Sequence, residues 1–95
     1  MADVVDNPEQ HRFEIVLDEG TAVMEYRLAE GRMVITHTGV PDELEGEGLG
    51  SQLVRAGLER ARSEGLAIEP RCPYARRWIE EHPDDVDGVE ILPVR

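Results

Sequence analysis

One change of rhythm along the chain limits what it can fold into. From Arg12 to Val40 apolar and polar residues alternate, the period of strands half-buried in a sheet. From Leu49 to Glu64 the apolar residues recur at helical spacing. The two regimes meet at Glu45-Gly46-Glu47-Gly48-Leu49-Gly50, where three glycines stand at alternate positions. A strand block that runs through such a loop into a helix predicts an α/β domain with a stretch of backbone bare of Cβ atoms. At 95 residues there is room for one such domain and no second.

Turn signals divide the strand block. Phe13, Ile15 and Leu17 share one face of a first strand, and Asp18-Glu19-Gly20 closes it. Thr21 to Leu28 forms a second strand, in which Ala22, Met24 and Tyr26 compete with Val23 for the inner face. After Ala29-Glu30-Gly31, Arg32 to Val40 forms a third. Its alternation puts Met33, Ile35 and His37 on one face and Val34, Thr36, Thr38 and Val40 on the other. Such short links predict an antiparallel meander. The helix Leu49–Glu64 ends at Gly65, a C-cap glycine. Leu66–Glu69 reads as a short strand parallel to the third, because a helix separates them. Pro73 opens a second helix over Tyr74–His82, and Pro83 stops it. Val89–Leu92 is expected either as a last edge strand or as a loosely packed segment. Residues 1–11 are polar and aperiodic, which predicts a flexible N-terminal tail ahead of a single domain over 12–95.

Charge and cysteine content exclude several partners. The net charge is −11, and all ten basic residues are arginines. Residues 1–50 carry a net −9 and residues 51–95 a net −2. Nucleic acid and anionic membranes need a basic surface, so neither is expected as a partner. The acidic first half suits a cationic partner, and Arg71, Arg76 and Arg77 in the second half suit an anionic ligand. Cys72 is the single cysteine, so no intramolecular disulfide or cysteine-rich zinc site forms. His11, His37 and His82 lack metal-ligand spacing, and no metal is expected. There is no 18-residue apolar run, and Met1-Ala-Asp-Val-Val-Asp lacks the regions of a signal peptide. A cytoplasmic setting is the expectation.

A glycine loop before a helix can cradle a phosphate on free backbone N–H groups. A P-loop needs Gly-Lys-Ser/Thr, and the chain has no lysine. The dinucleotide fingerprint needs glycines directly after a strand, whereas Pro41–Glu45 intervene and position 51 is Ser. What remains is a family resemblance. Glu45-Gly46-Glu47-Gly48-Leu49-Gly50 resembles the acyl-CoA pyrophosphate loop, Gln/Arg-x-x-Gly-x-Gly/Ala, of the GCN5-related N-acetyltransferases. The order His37-Thr38-Gly39-Val40-Pro41, glycine loop, Pro70-Arg71-Cys72-Pro73-Tyr74 and Glu81-His82-Pro83 resembles that superfamily's small subfamily, often called YjdJ-type.

The resemblance implies a mixed, mostly antiparallel sheet with a central pair of splayed parallel strands and two helices. It implies acetyl-CoA in the splay and an amine acceptor whose shaping helices are missing, so that the acceptor side lies open or is completed by a second copy in a homodimer. It implies cofactor contacts from Val40, Gly46, Gly48, Leu49, Gly50 and Ser51, with Arg76 and Arg77 offered to the phosphates. Cys72 is a candidate to take the acetyl group or line the pocket, Tyr74 to protonate the departing thiolate, and His37 to act as a base if it points into the cleft, with Glu43 a lesser candidate. Each has a plainer reading: an inert buried thiol, a packed aromatic, a structural histidine, a solvated helix face. The sequence departs from the family pattern at Glu45 and Glu47, which repel a pyrophosphate, and at Gly39, where relatives often place a glutamate base. Two other functions stay open: a CoA-binding module without catalysis, and an acidic protein-interaction domain.

Overall fold

Strand-forming alternation and two glycine turns build a sheet whose order in space is its order in sequence. The structure is a computed structural model, and it describes residues 3–94. Strands β1 (Val5–Asn7), β2 (Arg12–Leu17), β3 (Gly20–Ala29) and β4 (Arg32–Gly39) pair antiparallel, and β5 (Ala67–Pro70) pairs parallel to β4. Helix α1 (Leu49–Glu64) connects the parallel pair, and helix α2 (Pro73–Glu81) follows β5. This is the expected mixed sheet with two helices. Among the described residues no helix is long and apolar enough to cross a membrane.

Both helices cover the same face. Phe13, Ile15, Met24 and Met33 from the sheet, Leu53 and Leu58 from α1, and Ala75 and Trp78 from α2 belong to one buried cluster. Gly57 lets α1 approach the sheet closely: an added Cβ would stand 2.7 Å from Met24 Cε. The other face carries no helix among the described residues.

Three expectations are corrected. Residues 5–10 are not tail: Val5–Asn7 pairs with β2, and Pro8–Gln10 forms a 3-10 turn. A half-buried network anchors this strand. Tyr26 Oη donates to Asp6 Oδ1 at 2.6 Å, while Arg60 Nη1 donates to Asp6 Oδ2 at 2.8 Å and to Tyr26 Oη at 2.7 Å. At the other end, Val89–Leu92 contributes only a parallel bridge, Ile68 to Ile91, which covers the free edge of β5. The third correction concerns the faces of β4. A β-bulge leaves Thr36 unpaired, because Tyr26 faces Ile35 while Glu25 faces His37. The extra residue reverses the alternation. His37 therefore lies exposed on the helix-free face, and Thr38, opposite buried Met24, turns to the helix side.

The Asp6–Tyr26–Arg60 network makes a prediction about pH. Burial first, then the hydrogen bond to Asp6 and its negative charge, push the Tyr26 phenol up to about 12. The unfolded chain loses that proton near its ordinary value of 10. Between those values the folded state holds more protons, so stability falls as pH rises, by up to about 2–3 kcal/mol. Urea unfolding from pH 9 to 12 should show this decline in the native chain and a shallower one in Tyr26→Phe. Equal slopes would show that the network does not hold the proton.

Candidate functional site

The site arises where β4 outruns β5. Their pairing runs from Arg32/Ala67 to Ile35/Pro70 and stops. Ile35 O then accepts from both Arg71 N and Cys72 N at 3.0 Å, and the chain turns away into α2. Residues 36–39 of β4 continue beside β3 alone. The backbones of these residues therefore part from Cys72 and the start of α2, the splay that the family resemblance implied.

On the helix side this gap opens into a cavity of about 450 Å³. Thr38, Val40, Leu44 and Glu45 line it, with Gly46, Gly48, Leu49, Gly50 and Tyr74. Gly46 and Gly48 have φ of +84° and +79°, a region L side chains rarely adopt, and nothing lies within 4 Å of where a Cβ would stand. Gly48 caps α1 without a side-chain hydrogen bond. Gln52 N, bonded to Gly48 O at 3.1 Å, makes the first turn's backbone bond. The N–H groups of Leu49, Gly50 and Ser51 are thus free at the positive end of the helix, an anion cradle made of backbone.

Tyr74 roofs this cradle. A Cβ at position 50 would come within 2.6 Å of Tyr74 Cζ, and closer still to the hydroxyl oxygen, so only glycine admits the phenol there. Cys72 is buried beside the gap, and its thiol lies 3.5 Å from Thr38 Oγ1. Thr38 is among the residues that line the cavity, and Cys72 touches it from the inner end of the gap.

Comparison with known proteins decides the family. A family model described as GCN5-related N-acetyl-transferase matches residues 12–88. The chain belongs to the GCN5-related N-acetyltransferase family. Protein NATD1 of Homo sapiens is 33% identical over 63 residues, covering 65% of this chain and 56% of the human protein. The Gallus gallus NATD1 shows the same identity over 57% of its length. The match thus spans just over half of these curated relatives. A GCN5-like protein from Staphylococcus aureus, solved in solution by NMR, superposes with a TM-score of 0.74 at 32% identity. That alignment covers 96% of this chain and 90% of the other.

Against the family pattern, the sequence candidates separate into those that meet and those that do not. Val40, Gly46, Gly48, Leu49, Gly50 and Tyr74 meet in the cavity. Ser51 contributes its backbone N–H, but its side chain is engaged: Trp78 Nε1 donates to Ser51 Oγ at 2.8 Å, tying α2 to the first turn of α1. Arg76 lies with Pro70 and Ile91 by a different depression and donates to the carbonyls of Pro70 and Arg71 at 3.4 Å. Arg77 lines a shallow surface beside Tyr74 with Trp78 and Glu81, next to the cavity but outside it. His37 stands on the helix-free face, so the condition set for it as a base in the cofactor cleft is not met. Glu43 is exposed and not among the lining residues. Thr38 and Leu44 were not singled out as site residues. Helical spacing gives no signal for the single 3-10 turn, Asp42–Leu44, that buries Leu44.

The fit to an acyl-CoA is therefore a fit to backbone. The cradle supplies N–H groups for a pyrophosphate, and the gap supplies a slot beside β4. The lining residues include no cation and one carboxylate, Glu45, which is exposed at the mouth. Exposed carboxylates cost some tenths of a kcal/mol each in water and salt.

Removing the Ser51 hydroxyl tests the helix tie. Ser51→Ala leaves the Trp78 N–H of a residue only 4% exposed without its acceptor. The expected loss is about 1–2 kcal/mol in urea unfolding. An unchanged midpoint would show that the bond contributes nothing net.

Proposed function

We propose that this chain binds acetyl-CoA and transfers its acetyl group to an amine, as a member of the small YjdJ-type branch. The cavity carries the reading: a glycine cradle at a helix N-terminus, a parallel-strand splay and a tyrosine hydroxyl converge there. Bound acetyl-CoA supplies an acetyl group already activated as a thioester. The N–H groups of Leu49, Gly50 and Ser51 hold the pyrophosphate. The Val40 N–H donates to the thioester oxygen, where negative charge grows. The amine nitrogen bonds to the carbonyl carbon as the C–S bond breaks, its proton passes to water, and Tyr74 Oη gives a proton to the departing sulfur and regains one from water. Cys72, held by Thr38, lines the inner end of the gap. A reducing cytoplasm suits this free, buried thiol.

A second reading, a CoA-binding module without turnover, draws on Gly39. That position has no side chain to accept a proton, and Glu45 is the only carboxylate lining the cavity. Amide NMR with added acetyl-CoA tests both. Shifts centred on Gly46–Ser51 and on Cys72 and Tyr74 are expected, with free thiol released when an acceptor amine is supplied. Binding without thiol release from any amine would favour the module. No shifts up to millimolar acetyl-CoA would sink both.

A further inference from the structure

The gap between β4 and β5 has two sides. The helix side holds the cradle, and the sheet's helix-free face lies opposite it. Register identifies what stands there. Arg27, Val34 and Glu69 form one row across β3, β4 and β5. Arg32 lies two residues before Val34 on β4, and Arg71 two residues after Glu69, immediately before Cys72. Thr36 and His37 follow on β4, with Glu25 opposite His37. Thr36 Oγ1 is turned to the Glu25 carbonyl, 3.3 Å away. Farther along the face, Arg12 and Glu14 pair with each other.

On this face Arg12, Arg27, Arg32 and Arg71 stand against Glu14, Glu25 and Glu69, with Glu90 beside the edge of β5, in a chain of net charge −11. Arg32 and Arg71 pair with one carboxylate, Glu69, and Arg27 stands in the same row two strands away. Arg71 Nε donates to Glu69 Oε2, and Arg32 Nε approaches Glu69 Oε1 at 3.2 Å. The Arg71 hydrogen bond, with the fields of Arg71, Arg32 and Arg27, holds the Glu69 carboxyl below its usual range despite burial. One carboxylate cannot satisfy three guanidiniums. Arg32 Nε is closed off from solvent and makes no hydrogen bond. Val34, at the centre of the row, is only 2% exposed yet lies outside the helix-side cluster.

We propose that this arginine surface receives the carboxylate of the acceptor: a small amine that carries a carboxylate, held by Arg27, Arg32 and Arg71 so that its amino group enters the gap beside Cys72. The inference rests on the acetyl-transfer reading for the location of the reacting centre. It replaces the cationic acceptor that net charge alone suggested, because recognition is set by the groups local to one face and not by the sum over the chain. Arginine is suited to this task, since its planar fork matches a carboxylate with two parallel hydrogen bonds.

The test is an NMR titration read at the arginine Nε–Hε resonances, which needs no turnover. The probes are glycine, β-alanine and glutamate as free acids, glycinamide and β-alaninamide without the carboxylate, and spermidine as a cation. Free acids should shift Arg27, Arg32 and Arg71, and the amides and spermidine should not. Arg27→Gln and Arg71→Gln should each raise the dissociation constant of the acids by about tenfold. In thiol release, kcat/KM for the preferred acid should exceed that for its amide by about tenfold or more. The acid–amide comparison in the unaltered protein stands whatever the variants do to folding. Acids that shift none of the three arginines, or spermidine as the best acceptor, overturn the proposal even if acetyl-CoA perturbs Gly46–Ser51. Acids that shift the arginines while acetyl-CoA leaves Gly46–Ser51 unmoved support the anion surface and sink the transfer reading alone.

Discussion

Gly50→Ala is expected to lower acetyl transfer about a hundredfold while changing stability by less than about 1 kcal/mol. The position is the second residue of α1, and alanine suits a helix better than glycine there. The added methyl, however, overlaps the Tyr74 ring, whose Cζ would lie 2.6 Å away. Tyr74 is 37% exposed, so the ring has solvent to swing into and the backbone need not move. Swinging removes the hydroxyl from the cavity and with it the proposed proton donor for the departing thiolate. Tyr74→Phe keeps the ring in place and removes only the hydroxyl, so it should lose a similar factor in kcat with acetyl-CoA affinity unchanged. Because both changes act on one group, the double variant should be no slower than the worse single one. Thiol release measured for the three variants decides it. Full activity in Gly50→Ala would remove Tyr74 from the reaction.

Much of this site could be read from local pattern. The bounds of α1 follow from its apolar stripe and the glycines at 48 and 65, and the structure places the helix over the same sixteen residues. The parallel β5 follows from the helix before it. The cradle follows from three alternate glycines. What escaped depends on partners distant in sequence. The bulge at Thr36 is a property of the pairing with β3, and nothing in Met33-Val34-Ile35-Thr36-His37 marks it. Alternation read straight through put His37 on the face of Met33 and Ile35 and Thr38 on the face of Val34, and both are reversed. Strand β1 is three residues long and owes its place to Tyr26 and Arg60, 20 and 54 residues from Asp6.

The arginines show the difference between charge and phase. Arg76 is two residues past Tyr74, about 200° around the helix, while Arg77 is about 300° around and returns to its neighbourhood. The sequence contains that geometry, and it separates the two residues as the structure does. The convergence of Arg27, Arg32 and Arg71 has no such local signature. It needs three strands in register.

Leu53→Ala is expected to destabilise the fold by about 3–5 kcal/mol, the largest stability loss among single truncations at the α1–sheet contact. Leu53 is 0% exposed and sits one turn beyond the cradle. Its neighbours along the buried stripe are Leu49, Gly50 and Gly57, two of which have no side chain to fill a void. The core has few aromatics to spare: Phe13, Tyr26 and Trp78 are the buried ones. Gly57 holds α1 close to Met24, so the helix is already at contact distance and cannot settle further to close the cavity. A domain this small has a total stability of roughly 5–10 kcal/mol. The loss should lower the melting temperature by about 15–30 °C. Leu66→Ala, at a half-buried position after the helix, should cost less than half as much. Acetyl-CoA added at a hundred times its dissociation constant should restore about 2.7 kcal/mol to Leu53→Ala, because the variant leaves the cradle's N–H groups in place. A melting temperature within a few degrees of the native chain would show that the sheet and helix repack around the missing side chain, and that Gly57 does not fix their distance.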